Sequence, residues 1–507
     1  MSEELCPIFV GGTWRQAKAY DSFVADNPAT GQPLEVSYPK SEWDDVEEAL
    51  DSAKAAFDEM QSLEPMKIAD FLTAYADEIE AHASEICELA SIETGYPVKP
   101  RLQDVELPRT TGQLRQAAKA ATDPSWRLPT IDKDAGIASI LEPVGPVVVC
   151  GPNNFPLAFN GIAGGDFAAA IAAGNPVIAK AHSSHPGTCR LLAECAQHAI
   201  AVTGMPKSTV QLVFGIRRAD GERLVRDPRV GGAAFTGSRT AGMALKASAD
   251  SVGKPIYLEM SSVNPVVILP GTLEERSDDV LDELVTSALM GTGQFCTNPG
   301  IVFLVKGSAT DSFLEKLAAR YEEQPCGTLL SKGTQKGLVE GIETLQKAGA
   351  EVVCGNRPAA REGYAWSNTL LRVDGERFRA DPETLQTEAF GNATLAVIAE
   401  TTDQLSSLIA CCEGNLTGCI YSAKDGRDDA AYTDVAKALR PLVGRLLNDK
   451  MPTGVAVSPA MNHGGPFPAT GHPHFTAVGI PAALRRFTRL ACYDNVRPDR
   501  LPEELRA

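Results

Sequence analysis

The segment "PVVVCGPNNFP" (residues 146–156) decides the fold class. A short apolar, β-branched run that ends at glycine and proline is typical of a buried strand leading into a loop. The pattern recurs at "PVIAKA" (176–181), "VQLVFG" (210–215) and "VGGAAFTGS" (230–238), and we interpret 157–173 and 186–202 as helices between the strands. Strands that alternate with helices predict βαβ units and therefore a parallel sheet.

The bulk composition restricts the class of protein. A chain of 507 residues with 44% hydrophobic and 22% charged residues predicts at least two packed units. The start "MSEELCPIFVGG" has no basic leader, and no run of about 18 apolar residues follows it, so we expect a cytoplasmic protein with no membrane partner. The twelve cysteines form no CxxC pair, which predicts reduced thiols and no metal site. The net charge of −18 argues against a nucleic-acid partner.

Helices are also expected before the first of these strands. From 44 to 90 the apolar residues recur at helical spacing, as at Val46, Ala49, Leu50, Ala53 and Phe57. We assign these helices to packing against the sheet.

The loops that follow the strands are where ligands bind in such sheets. The dinucleotide fingerprint G-x-G-x-x-G is absent. "FTGSRTAG" (235–242) instead places Ser238 at a helix N-cap between Gly237 and Gly242, where free N–H groups could hold a pyrophosphate, although most such segments are only turns. Lys180, just after an apolar strand, could bond ribose hydroxyls or simply extend to water.

Six segments together resemble the aldehyde dehydrogenase superfamily in their order and approximate spacing. They are "GPNNFP", "AKAHSSHP", "FTGS", "YLEMSSVNP", "GQFCTNPG" and "TEAFGN". The resemblance runs from "NPATGQPL" (27–34) to beyond "HGGPFPAT" (463–470). "KAHSSHPGT", "SVNPV", "GQFCTNPG" and "HGGPFPAT" are similar to the branch of α-ketoglutarate semialdehyde (2,5-dioxopentanoate) dehydrogenases and NADP-dependent fatty aldehyde dehydrogenases.

This resemblance implies oxidation of an aldehyde to a carboxylic acid through a cysteine thiohemiacetal and thioester. Cys296 would be the nucleophile, because hydride leaves only after the aldehyde carbon becomes tetrahedral. Asn154 and the Cys296 backbone N–H would hold the oxyanion, and Glu259 would activate the hydrolytic water. His463 is a candidate for assisting proton movement, and a loop histidine that bonds only backbone is an equal alternative.

The same resemblance implies an NAD(P) cofactor. It assigns the cofactor contacts to Pro152, Asn153, Lys180, His182, Ser183, Arg217, Thr236, Gly237, Ser238, Gly242, Glu388 and Phe390. Many NAD-dependent members read Lys-Pro-Ser-Glu where this chain has "KAHS" (180–183), so the carboxylate that would repel a 2′-phosphate is missing. Arg217 and Arg218 could bind that phosphate, or they could be an exposed pair. We expect NADP as the preferred cofactor, with NAD as an alternative.

Two departures from the common pattern concern the catalytic loops. "LEMSS" (258–262) replaces Glu-Leu-Gly-Gly, which makes the backbone after Glu259 less permissive than glycine would. "HGGPFPAT" replaces the usual glycine-rich segment near the substrate entrance, and it is the reason for considering His463.

The implied fold is α/β and aldehyde dehydrogenase-like. It has a Rossmann-type cofactor domain (1–123 and 142–258), an α/β catalytic domain (259–480) and a small β oligomerisation arm (124–141 and 481–507). "ASILEPV" (138–144) and "RLACYDNV" (489–496) look like the strand pair that joins subunits in relatives. A homodimer or homotetramer is therefore expected.

The substrate has more than one interpretation. We favour 2,5-dioxopentanoate, oxidised to 2-oxoglutarate, with Arg109 and Arg115 as candidates for its carboxylate. A medium or long-chain fatty aldehyde is the alternative, and it would suit the aromatic residues Phe155, Phe159, Phe295 and Phe467. From another class, the chain could be a catalytically silent cofactor-binding or structural relative. The intact catalytic set argues against that.

Overall fold

The computed structural model describes residues 5–506. Its strands are β1 (Ile8–Val10), β2 (Thr13–Arg15), β3 (Ala19–Asn27), β4 (Gln32–Ser41), β5 (Thr130–Asp132), β6 (Ile137–Pro143), β7 (Val147–Cys150), β8 (Val177–Lys180), β9 (Val210–Val213), β10 (Gly232–Thr236), β11 (Ile256–Glu259), β12 (Val266–Ile268), β13 (Ile301–Val305), β14 (Glu351–Cys354), β15 (Thr369–Asp374), β16 (Ala393–Ala399), β17 (Asn415–Tyr421), β18 (Val443–Asn448) and β19 (Thr488–Asp494).

Its α-helices are α1 (Trp43–Met60), α2 (Pro65–Ala81), α3 (Ala83–Thr94), α4 (Leu107–Ala121), α5 (Gly165–Ala172), α6 (Pro186–Thr203), α7 (Arg218–Arg226), α8 (Arg239–Asp250), α9 (Pro270–Leu289), α10 (Ser308–Glu323), α11 (Lys332–Lys347), α12 (Gly375–Ala380), α13 (Pro382–Leu385), α14 (Thr402–Ile409), α15 (Asp429–Leu439) and α16 (Ala482–Arg485). A π-helical segment, Val98–Glu106, leads into α4. Short 3-10 turns lie at Pro124–Arg127, Met290–Gly293, Arg440–Leu442, Pro498–Arg500 and Glu503–Leu505.

Two seven-stranded sheets form the body of the molecule. The first has the strand order β11-β10-β7-β8-β9-β1-β2 and is parallel from β11 to β9. After β7 the chain adds β8 and β9 on one side and β10 and β11 on the other, so the order reverses next to β7. Ligands bind at the carboxyl ends of strands beside such a reversal. The second sheet has the order β14-β15-β16-β13-β12-β17-β18. The predicted α/β class is confirmed.

The first helix, α1, packs on the first sheet through the apolar stripe that its sequence predicts. Val46, Ala49, Leu50 and Ala53 on α1 are fully buried, while Phe57 is half-buried. These residues belong to the same core cluster as the strands β7 to β9. Burial of this apolar stripe is what holds the helix on the sheet.

One predicted helix is wrong in its first half. The sequence pattern predicts a helix over 157–173, but α5 begins only at Gly165. The residues before it form turns held by Asn160, whose amide donates to the Pro156 carbonyl at 2.7 Å and accepts from the Ile162 N–H at 3.1 Å. Side-chain bonds of this kind to nearby backbone compete with helix formation.

The arm segments pair as the sequence suggests. β6 lies between β5 and β19 in a three-stranded antiparallel sheet, with Leu490 opposite Leu141. The exact domain boundaries stay a proposal, and their outer residues 1–4 and 507 lie outside the described range. Within residues 5–506, none of the helices combines the length and apolar character needed to span a bilayer.

Candidate active site

The candidate site lies where the parallel strands of the first sheet end. The ends of β10 and β11 are in register, with Thr236 beside Glu259, and those of β7 and β8 match Cys150 to Lys180. A cleft of about 900 Å³ opens at these ends and reaches Cys296, which comes from the second sheet's side of the molecule. Strand ends and loops from both halves therefore meet in one cavity.

The loop that carries Cys296 is fixed by backbone conformation and by one glutamine. Gly291, Thr292 and Gly293 all have left-handed backbone, with φ of 56°, 60° and 69°. A Cβ on Gly293 would approach the Gly391 carbonyl oxygen to 2.1 Å, so only glycine fits there. The Gln294 side chain donates to the Gly291 and Thr328 carbonyls, both at 3.0 Å. These contacts hold the segment immediately before the nucleophile.

Asn264 holds the other side of the Cys296 residue. Its Nδ2 donates to the carbonyl oxygens of Cys296 and Asn298, both at 2.9 Å. Its Oδ1 accepts from the Thr417 hydroxyl at 2.9 Å and from that of Ser262 at 2.9 Å. Asn264 is fully buried, so this network ties the cysteine loop to the core of the second half.

Three reactive side chains converge in the cleft. The Cys296 sulfur lies 3.3 Å from His463 Nε2, and the same nitrogen lies 3.1 Å from Glu259 Oε1. Glu259 and His463 are 2% and 3% exposed. Glu259 Oε2 is buried and has no hydrogen-bond partner among the described residues. One nitrogen thus sits between a thiol and a carboxylate.

The fold brings His463 to this position through its backbone. The chain near it runs along the end of β11, where the Met260 N–H donates to the Ala469 carbonyl at 2.8 Å. The His463 N–H donates to the Thr476 hydroxyl at 3.1 Å, and its carbonyl accepts from Ala477 at 2.9 Å. His463 therefore does more than bond backbone, because its imidazole faces the Cys296 sulfur.

The electrostatic setting of Cys296 favours the thiol over the thiolate. Burial raises the pKa of Cys296 well above its ordinary value, and the neighbouring charge of Glu259 raises it further. The guanidinium of Arg109 acts in the opposite direction. The resting sulfur is consequently protonated and needs a base within reach.

Asn154 lies beside the nucleophile loop. Its Nδ2 donates to the Gln294 carbonyl at 2.9 Å, and its own carbonyl accepts from Arg101 Nη2 at 3.2 Å. It is 5% exposed. An amide nitrogen carries two hydrogens, so one remains for a ligand oxygen.

The two arginines considered for binding a substrate carboxylate lie in different environments, one buried and one facing solvent. Arg109 donates one bond, from Nη1 to the Val455 carbonyl at 3.1 Å, while its Nε and Nη2 are buried without partners among the described residues. Burial lowers the pKa of Arg109, and its charge interacts with Cys296 and Glu259. Arg115 instead faces solvent and forms ion pairs with Asp77 at 2.7 Å and Glu80 at 2.5 Å.

Three of the four aromatic residues form one cluster of rings. Phe155 packs edge-on against Phe159 and Phe295, each with ring centroids 5.2 Å apart. Arg109 lies over Phe155 and Phe159 at 5.8 and 5.1 Å from the ring centroids. Phe467 is separate from them, since it is 56% exposed and lies beside Arg239. Arginine guanidinium groups therefore lie over these aromatic rings.

Sequence reasoning missed two further arginines. Arg101 lies over the Phe155 and Phe295 rings at 4.6 and 5.4 Å and pairs with Glu106. Arg445, on β18, interacts electrostatically with Cys296, and burial lowers its pKa. Neither lies in a motif. Arg101 belongs to a π-helical segment without a regular apolar pattern, so no sequence signal pointed to it.

Most of the predicted cofactor residues line the 900 Å³ cleft. Those that do are Pro152, Asn153, Lys180, His182, Ser183, Thr236, Gly237, Ser238, Glu388 and Phe390. Ser238 is the N-cap of α8 and accepts from the Ala241 N–H at 3.4 Å. Gly242 does not line the cleft. A Cβ on it would meet the Met260 sulfur at 3.0 Å, so this glycine lets α8 pack closely.

Arg217 lies at a second, adjoining cleft of about 640 Å³ between α7 and α8. Both of its terminal nitrogens bond Glu42, at 2.5 and 2.8 Å, and its guanidinium stacks on Tyr20. Arg218 lines the same cleft and has a longer contact, 3.6 Å, with Glu222. The guanidinium expected to face a phosphate is thus already paired.

Two titratable groups in the cofactor cleft have shifted pKa values. Burial lowers the pKa of His182 well below its usual value, so the ring is neutral. Its Nδ1 accepts from the Ser184 N–H at 3.1 Å, which leaves the proton on Nε2 as a donor. Burial raises the pKa of Glu388 to about 7, although bonds from Ser261 and the Ser262 N–H act in the opposite direction.

The serines of "LEMSS" have a structural use. Residues 260–262 do not adopt left-handed backbone, so the conformation does not require glycine. The Ser262 hydroxyl donates within a buried cluster with Asn264 and Asn415. Serine in place of the family's glycine therefore adds hydrogen bonds without straining the backbone.

Comparisons with known proteins cover almost the whole chain. The family model described as aldehyde dehydrogenase family matches residues 14–451. The chain is 38% identical to alpha-ketoglutaric semialdehyde dehydrogenase 2 of Azospirillum brasilense, over 98% of this chain and 94% of that protein. It is 35% identical to alpha-ketoglutaric semialdehyde dehydrogenase of Acinetobacter baylyi, over 100% and 97%. The NAD⁺ complex of an aldehyde dehydrogenase from Bacillus cereus has the same fold, with a TM-score of 0.83 over 97% of this chain and 96% of that one at 22% identity.

Proposed function

Because the chain belongs to the aldehyde dehydrogenase family, we propose that it oxidises 2,5-dioxopentanoate to 2-oxoglutarate. Membership makes it an NAD(P)-dependent oxidoreductase that acts on aldehydes. The choice of aldehyde depends on one observation, the buried guanidinium of Arg109, which interacts with the charges of Cys296 and Glu259 and has two nitrogens without partners among the described residues. The names of the two relatives at 38% and 35% identity support the same choice.

The first chemical step is activation of Cys296. His463 Nε2 accepts the thiol proton across 3.3 Å, and the carboxylate of Glu259 stabilises the imidazolium that results. The thiolate then attacks the aldehyde carbon and forms the thiohemiacetal. A base is needed because burial and Glu259 disfavour a resting thiolate.

The negative charge that develops on the aldehyde oxygen meets prepared donors. The second Nδ2 hydrogen of Asn154 and the Cys296 backbone N–H donate to this oxygen. Asn154 is held by Gln294 and Arg101, so it pays little reorganisation when the charge appears. When bound in the cleft, a nicotinamide cofactor would supply the hydride acceptor needed to oxidise the thiohemiacetal to a thioester.

Hydrolysis of the thioester falls to Glu259. Its Oε1 is occupied by His463, while Oε2 is buried and unpartnered and can accept a proton from water. The resulting hydroxide attacks the thioester carbon, and the C–S bond breaks. The carboxylic acid is released, and Cys296 is left as a thiolate. A carboxylate with one free oxygen suits this role.

The far end of the substrate is bound by Arg109. In 2,5-dioxopentanoate a carboxylate lies a few bonds from the aldehyde, and it can bond Arg109 Nε and Nη2, the two donors left without partners. A fatty aldehyde would leave that guanidinium buried and unpaired, which costs free energy. The aromatic residues favour the fatty aldehyde less than their sequence suggests, because Arg101 and Arg109 face their rings.

The residues of the cleft fit a nicotinamide dinucleotide. The first turn of α8 offers N–H groups beyond Ser238 for a pyrophosphate, Lys180 and His182 offer donors, and Glu388 offers an acceptor for a ribose hydroxyl. We retain NADP as the preferred form, with NAD as an alternative. Since Glu42 occupies Arg217, the 2′-phosphate would be met by Arg218.

The proposal is tested by the appearance of reduced cofactor with 2,5-dioxopentanoate and with decanal, each with NADP⁺ and NAD⁺. We expect the highest kcat/KM for the dioxo acid with NADP⁺. A higher kcat/KM for decanal would assign the protein to fatty aldehydes, and a higher value with NAD⁺ would remove the phosphate role of Arg218.

A further inference from the structure

The cluster of Cys296, His463 and Glu259 has a second property besides acid–base chemistry. Within residues 5–506 these three side chains are the group of cysteine, histidine and carboxylate ligands whose donor atoms all lie within 4.8 Å of one another. They contribute one sulfur, one nitrogen and one oxygen. This ligand set is suited to zinc, whereas magnesium and calcium prefer oxygen ligands alone.

Two of the three distances between ligand atoms are close to those around a tetrahedral zinc ion. Bonds of about 2.0 to 2.3 Å place neighbouring ligand atoms roughly 3.3 to 3.6 Å apart. The sulfur and Nε2 are 3.3 Å apart, and Nε2 and Glu259 Oε1 are 3.1 Å apart. The third distance, between the sulfur and a carboxylate oxygen of Glu259, is within 4.8 Å, so binding of the ion would draw these two groups together.

Burial and charge support the same conclusion. Glu259 and His463 are almost fully buried, and Glu259 Oε2 is buried without a hydrogen-bond partner among the described residues. The thiolate and the carboxylate of Glu259 would balance the two charges of the ion, with the guanidinium groups of Arg109 and Arg445 as neighbouring cations. Binding of the ion would displace the Cys296 proton to solvent and satisfy the unpartnered carboxylate.

We propose that Cys296, His463 and Glu259 form a reversible binding site for Zn²⁺ that switches the enzyme off. With three protein ligands, the fourth position of the ion faces the cleft. The bound sulfur cannot attack an aldehyde, and the bound histidine cannot accept a proton. The inhibitory effect depends on the proposed role of Cys296, whereas binding of the ion does not.

The experiment measures the alkylation of individual cysteines by iodoacetamide, read by mass spectrometry of the peptides, with and without Zn²⁺. Cys326 and Cys492, which are half-buried and exposed, serve as internal controls for folding and for nonspecific metal binding. We expect Zn²⁺ to slow the alkylation of Cys296 selectively, chelator to reverse the effect, and Mg²⁺ to have none.

Variants locate the ligands. In His463→Asn and Glu259→Gln the Zn²⁺ concentration that gives half-protection should rise by at least about tenfold. His472→Asn, a histidine on the same segment outside the cluster, should behave as wild type. The proposal is overturned if Zn²⁺ protects Cys326 as well as Cys296, if it fails to protect Cys296, or if the three variants respond alike. Absence of aldehyde oxidation together with selective protection would instead reject the proposed function and keep the metal site.

Discussion

At the scale of single residues, the sequence located the chemistry better than it located the substrate contacts. Cys296, Glu259 and Asn154 lie in recognisable segments, and the structure brings them into one cleft. Arg109 and Arg115 could not be distinguished, since both lie on α4 in a segment without a clear apolar stripe. Six residues correspond to about 240° around a helix, so the two face different surroundings. Only the packing of α4 shows which one faces the pocket.

The role of His463 is tested at this scale by His463→Asn. Removing the group that accepts the thiol proton should slow alkylation of Cys296 at neutral pH by about tenfold or more and lower kcat by about a hundredfold or more. His472→Asn is the matched control and should change neither quantity. An unchanged alkylation rate in His463→Asn would show that another group activates the sulfur.

At the scale of elements, the start of α6, which follows the cleft residues His182 and Ser183, depends on a polar contact from a distant part of the chain. The side chain of the residue before α6 does not cap this helix. Its first N–H groups are bonded by Glu93 of α3, which accepts from Gly187 and Thr188, both at 2.8 Å. Local sequence gives no sign of this pairing because Glu93 is more than 90 positions away from Gly187 and Thr188. The turns of Asn160, which shorten α5, were missed for a different reason: its bonds are local, but the Ala-rich sequence around it predicted a continuous helix.

Glu93 gives a prediction about stability and pH. Burial raises the pKa of Glu93 from 4.5 to about 7, although its bonds to α6 act in the opposite direction. The folded state then binds the proton more tightly than the unfolded chain, so stability should fall as the pH rises from about 4.5 to about 7, by about 3 kcal/mol at most.

The measurement is the melting temperature of wild type and Glu93→Gln between pH 5 and pH 8. Glutamine keeps the shape and removes the titration. The advantage of wild type over the variant should shrink as the pH rises through this range. If the difference in melting temperature between wild type and Glu93→Gln stays constant or grows with pH, the hydrogen bonds keep the Glu93 carboxylate ionised.

At the scale of the whole molecule, the parallel part of the first sheet followed from the alternation of strands and helices, whereas the second sheet was expected only from the family resemblance. The quaternary structure could not be predicted from that alternation. β19 is an edge strand of the arm sheet, and Leu490 on it is 68% exposed. An exposed edge with an apolar side chain is a surface on which another strand can pair. We therefore keep the arm as a proposal for contact between copies of this chain.

Leu490→Glu tests the arm. We expect the variant to shift to a smaller species in size-exclusion chromatography with light scattering, because a charge would be placed in the contact. Val202→Glu, on a residue of α6 that is 61% exposed, is the control and should keep the mass of wild type. Wild-type mass in Leu490→Glu, or a monomeric wild type, would contradict the role of the arm.

The most direct test of the proposed function compares Arg109→Met with Arg115→Met in steady-state kinetics with 2,5-dioxopentanoate and decanal. Methionine removes the charge while keeping much of the side-chain volume. Arg109→Met should lose about a hundredfold to a thousandfold in kcat/KM for the dioxo acid and little for decanal, since a buried carboxylate would lose its partner. Arg115→Met, which breaks only exposed ion pairs, should keep the values of wild type. Equal behaviour of the two variants on the dioxo acid, or an equal loss by Arg109→Met on both substrates, would contradict the assignment of Arg109 and the substrate inferred from it.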